Sequence, residues 1–100
     1  MSLHNKFLNL MIENNINPKI INLDNVKYFD KETIEYIINL RLVGYQLQAL
    51  IYLISIGYFE DIDEKKYYKI IRDIKKIKTL EDENIICSNL IEKQKIMKLN

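Results

Sequence analysis

The sequence predicts a mostly α domain with a small β component. Three observations carry this. Apolar residues recur at helical spacing through most of the chain. Two of the helical stretches meet at Val43-Gly44, and the second runs out into Gly57-Tyr58-Phe59. Short runs rich in β-branched and aromatic residues, Ile20-Ile21 with Leu23 and Tyr67-Tyr68 with Ile70-Ile71, suit strands. An all-α five-helix domain is the alternative.

Along the chain, Ser2 is placed to cap a first helix from Leu3 to about Asn14, with Leu3, Phe7, Leu10 and Met11 on one face. Asn17-Pro18 closes it, because the residue before proline leaves the α region. A short strand is expected at about Lys19 to Leu23, and a second extended piece at Val26 to Phe29. Asp30 caps the next helix, whose stripe is Ile34, Ile37, Ile38 and Leu42, and Gly44 ends it as a C′ glycine. The following helix, Tyr45 to Ile56, carries Leu47, Leu50, Ile51 and Ile54 and is apolar enough to be largely buried.

Residues 58–72 admit two readings. A helix starting at Asp61 or Asp63 puts Tyr67, Ile70, Ile71, Ile74 and Ile77 on one face, with acids at its start and lysines at its end. A hairpin pairs "GYFEDI" with "KYYKII" around Asp63-Glu64. Periodicity slightly favours the helix. A last helix begins after Thr79 and runs to about Leu99, with Ile86, Leu90 and Met97 on its apolar face.

One hundred residues fit a single domain, and a hydrophobic share of 48% is enough to build a core. The net charge of +1 means that any polyanion-binding surface must come from local clustering. The single cysteine, Cys87, fits a reducing compartment. The N-terminus lacks the basic and apolar regions of a secretory signal, and the longest apolar run, Leu47 to Phe59, falls short of the ~20 residues that span a bilayer. A soluble, cytoplasmic protein without membrane attachment is expected.

Catalytic chemistry finds little to build on. His4 is alone, Cys87 reads as a small hydrophobe, and no CxxC, HExxH or phosphate-cradling glycine loop occurs. "EDIDE", residues 60–64, lacks the glycine and spacing of a calcium loop and reads as a helix start or turn. No catalytic residue, metal site or cofactor is expected. The informative cluster is Lys65, Lys66, Lys69, Arg72, Lys75, Lys76 and Lys78, opposed within its span only by Asp73. Several cations on one surface are what phosphate binding requires, and Tyr67 and Tyr68 among them can donate to phosphates or pack on sugars. The competing reading is a solvated lysine-rich face, with Glu60, Asp61, Asp63 and Glu64 cancelling part of its field.

Taken together, residues 33–59, "TIEYIINLRLVGYQLQALIYLISIGYF", resemble the helix-turn-helix core of winged-helix DNA-binding proteins. The resemblance implies one domain over 1–100, with that core at about 30–59, a wing at 58–72 and a C-terminal helix at about 80–98. It places Tyr45, Gln46 and Gln48 nearest the base edges, where a glutamine pairs with adenine. The second helix departs from the pattern in having no Lys or Arg, so affinity would rest on Lys65 to Lys78. Size and composition are also similar to the winged-helix accessory proteins of conjugative-plasmid relaxosomes. That likeness implies a homodimer on double-stranded DNA near an origin of transfer, assisting a relaxase or another protein partner. The rival is a small helical protein-interaction module or inhibitor, for which Tyr36, Tyr45, Tyr52, Tyr67 and Tyr68 offer an aromatic surface.

Overall fold

The chain is described by a computed structural model covering residues 2–17 and 28–99, with side chains up to Lys95. Among the described residues it forms five α-helices and no strand: α1 (Leu3–Glu13), α2 (Lys31–Leu40), α3 (Tyr45–Ser55), α4 (Glu64–Ile74) and α5 (Leu80–Leu99). The mostly α class with a β wing is therefore corrected to the all-α five-helix arrangement. The strand expected at Lys19 to Leu23 lies outside the described residues, as do Val26 and Lys27 of the extended piece expected at Val26 to Phe29, whose Tyr28 and Phe29 are not in a strand.

Local chemistry sets most helix starts. The Ser2 side chain accepts from the Asn5 amide, Asp30 from Thr33 and Asp63 from Lys66, each satisfying an N–H that has no partner within its helix. Before α5, the Thr79 hydroxyl accepts from the Asp82 amide while the Asp82 carboxylate accepts from the amides of Lys78 and Thr79, a reciprocal capping box. Helix α2 ends earlier than expected. Arg41 takes the left-handed conformation (φ 54°) just after Leu40, which turns Leu42 into the core and leaves Val43 outside. Gly44 (φ 57°, ψ −128°) is consequently the residue before α3 rather than the stop of α2. Its amide donates to Asn14 Oδ1, while Asn14 Nδ2 donates to Leu10 O, so one side chain joins the end of α1 to this turn.

Helix α3 is the centre. Leu47, Ala49, Leu50, Ile51 and Leu53 are fully buried, and α4 and α5 pack against it, while α1 packs on α2. Its end is a Schellman motif: Gly57 (φ 76°) donates to Ile54 O and the Tyr58 amide to Leu53 O, with the Tyr58 ring buried. The "GYF" exit is thus a helix terminator, and it leads into a turn that feeds α4.

Over 64–74 the helix prevails over the hairpin. Ile70, Ile71 and Ile74 fall on one helical face against the core, whereas strand alternation would have pushed either Ile70 or Ile71 into solvent. No wing forms at 58–72.

Candidate nucleic-acid interface

Two groups of residues are the sequence's candidates for meeting DNA, and the fold treats them differently. At the start of α3, Tyr45 is exposed, but both glutamine amides are occupied inside the protein. Gln46 Nε2 donates to Lys75 O and Ile77 O, each at 3.0 Å. These carbonyls lie at and just past the end of α4, where the helix has no donors of its own. Gln48 Nε2 donates to Glu83 Oε1 at 3.1 Å and Oε2 at 3.3 Å, serving the one buried carboxylate among the described residues. Both side chains thus fasten α3 to its neighbours.

Helix α4 presents the opposite situation. Lys65, Lys69 and Arg72 recur at intervals of four and three residues, which places them on one face of α4, and Lys76 follows in the turn just past the helix; all four are exposed. Lys75 is exposed to one side of this row. Among the described residues, no carboxylate lies within ion-pair distance of Lys65, Lys69, Arg72 or Lys75, and Lys76 reaches only Asp73, at 4.0 Å. Lys66 is half-buried and stands off the row. The acids that precede the helix collect at its N-terminal end. Asp63 is the cap, and Glu64 Oε1 accepts from the Tyr68 hydroxyl at 3.3 Å, which raises the Tyr68 pKa. Negative charge at the start and positive charge along the body and end also suit the helix dipole.

Tyr67 is not part of the cationic face. It turns the other way, into a ring cluster with Phe59 (centroids 4.9 Å apart) and Tyr36 (5.6 Å), and burial raises its pKa well above the usual tyrosine range. His4 is exposed on α1. Cys87 is buried, and burial with the neighbouring Glu83 pushes its thiol up to about 11, so it stays protonated at neutral pH and is a poor nucleophile. "EDIDE" is divided between a turn and the cap of α4. No described helix is long and apolar enough to cross a membrane.

The sequence pattern alone does not point to the groove beside the ring cluster, lined by Tyr28, Asp30, Tyr36, Phe59, Glu60 and Tyr67 among others. Its residues come from three separate stretches, and only their aromatic character is visible in the sequence. Compared with protein-family models, curated proteins and solved structures, the chain matches none, so its function is read from its own residues.

Proposed function

We propose that this chain is a non-enzymatic DNA-binding protein that holds duplex DNA by its phosphates, along the outward face of α4. The observation that carries this reading is the row Lys65, Lys69 and Arg72, exposed on one face of α4 and followed by exposed Lys76 just past its end, with no carboxylate partner for the first three among the described residues. An unpaired cation releases a condensed counterion when it meets a phosphate, and it gives up no internal ion pair to do so. Base readout has weaker support. Of the three α3 residues that the winged-helix resemblance put nearest the bases, only Tyr45 keeps an uncommitted side chain surface; the Gln46 and Gln48 amides are used within the fold. Sequence preference, if present, would come from pairing two copies on repeated half-sites. Helices α1 and α5, with exposed Ile12, Leu80 and Ile85, are the surfaces that would bring two copies together. A role beside a relaxase at an origin of transfer belongs to the same proposal and requires a preferred site.

The test is a titration of the purified chain against duplex DNA at low and moderate salt, with random fragments beside fragments flanking its own gene. Binding should weaken steeply with salt. Lys69→Gln with Arg72→Gln should lower the salt slope by about one for each phosphate no longer engaged. Absence of binding at low salt overturns the reading. Preference for a flanking fragment would support the origin-of-transfer role, and equal binding to all fragments would remove it.

The rival, a protein-interaction module, is favoured by a different observation, the aromatic groove on the other side of α4.

A further inference from the structure

The groove is built where the start of α2, the turn after α3 and the inner side of α4 meet. Its rings are Tyr28, Tyr36, Phe59 and Tyr67, each partly buried, with Ile54 and Gly57 lining it alongside them. The open space is about 660 Å³, in the range of ligand-sized clefts. Tyr28 is held over Gly57. A Cβ at that position would lie 2.9 Å from the Tyr28 hydroxyl oxygen, so only glycine lets the ring approach this closely. The same hydroxyl donates to Glu60 Oε2 at 3.4 Å.

Among the described residues the charged lining is of one sign: Asp30, Glu32 and Glu60 contribute to it and no Lys or Arg does, in a chain whose 15 cations outnumber its 14 anions. Among the described residues, none of these three carboxylates forms an ion pair. Asp30 spends Oδ1 on the Thr33 amide, which holds its pKa below the usual value and keeps the charge in mildly acidic solution. Ring faces carry negative potential, and carboxylates at the edge of the same cleft add to it.

We propose that this groove is a docking site for an arginine-bearing, basic segment of a partner protein. A guanidinium can lie flat on a tyrosine or phenylalanine ring while its N–H groups meet the carboxylates. A lysine ammonium gains the charge attraction without the stacking or the two-pronged pairing. An acidic or purely apolar segment would leave the three carboxylates facing either like charge or no partner. The site is independent of the DNA-binding reading, because Lys65, Lys69 and Arg72 lie on the face of α4 opposite Tyr67.

The experiment uses the full chain and fluorescein-labelled, end-blocked peptides of the form Gly-Ser-Xaa-Gly-Xaa-Ser-Gly, with Xaa as Arg, Lys, Gln or Glu. Anisotropy measures binding, and the tyrosine and phenylalanine ring resonances report its location. The arginine peptide should bind best, the lysine peptide should be weaker, and the glutamine and glutamate peptides should not bind. Glu32→Gln with Glu60→Gln, which keeps an acceptor for Tyr28, should weaken the arginine peptide at least about fivefold. Ring shifts should concentrate on Tyr36, Phe59 and Tyr67. The proposal is overturned if the arginine peptide does not bind, if the glutamine peptide binds as well, or if the double substitution changes nothing while circular dichroism shows it folded. Concentration-dependent self-association that the same substitutions abolish would assign the groove to a second copy, and would also overturn it. Should the double variant fail to fold, the peptide ranking and ring shifts on the unmodified chain decide alone.

Discussion

The start of α3 and the outer face of α4 both carry side chains suited to nucleic acid, yet the fold uses one set and leaves the other outside. Gln46 and Gln48 are committed to Lys75, Ile77 and Glu83, whereas Lys65, Lys69 and Arg72 meet no carboxylate among the described residues. The difference is physical. A glutamine amide is neutral and short enough to enter an interface, where it offers a donor to carbonyls and carboxylates that would otherwise be orphaned. A lysine or arginine loses too much hydration to follow it. A residue type that can read a base is therefore not evidence of an available reader until its internal partners are known.

The largest effect expected within this comparison is on the inner face of α4. Ile74→Ala should lower unfolding free energy by about 2–5 kcal/mol in a urea titration, because Ile74 is fully buried against the core. A reduction under about 1 kcal/mol would mean that α4 is not seated as described. Next come the α3 amides. Gln48→Ala leaves the buried Glu83 carboxylate without its amide donor and should cost about 1–3 kcal/mol. Gln46→Ala, which frees two carbonyls near the end of α4, should cost about 1 kcal/mol. If these substitutions instead reduce DNA affinity without touching stability, the glutamines are readers after all and the comparison fails.

A smaller effect follows from Glu83 itself. Burial raises its pKa, with the Gln48 hydrogen bond pulling the other way. The folded chain then keeps a proton that the unfolded chain has already released, so this residue makes stability fall as pH rises from the ordinary glutamate range through the raised value. Glu83→Gln preserves an acceptor for Gln48 and should flatten that slope. Identical slopes for the variant and the unmodified chain, from urea midpoints across that window, would contradict it. The smallest change is expected on the outer face of α4, where Lys69→Ala should shift stability by no more than ~0.5 kcal/mol while still weakening DNA binding.

What the sequence disclosed was local. Ser2, Asp30, Asp63 and Thr79 stand where helix starts need oxygen acceptors, and the structure uses each of them there. The apolar stripe of α3 announced its burial. The errors arose where one local pattern suits two outcomes. Tyr67-Tyr68 and Ile70-Ile71 fit either a strand or a helix, and only packing against α3 and α5 selects the helix. Gly44 looked like a helix stop because Arg41, which takes the left-handed turn, carries no such signal. The partners of Gln46 lie 29 and 31 residues away and that of Gln48 35, beyond the reach of any local period. The cationic row was legible as spacing, whereas its freedom from carboxylates was not.

The seat of Tyr28 on Gly57 has a consequence in time. One wall of the groove precedes α2, another follows α3, and Tyr67 comes later still, with Tyr28 and Glu60 separated by 32 residues. During synthesis the chain emerges from its N-terminus, and such distant contacts form only after the intervening segment has been made. A nascent chain ending before α4 therefore offers a partner no groove, and recognition there would sense completion of the fold rather than the presence of any one segment.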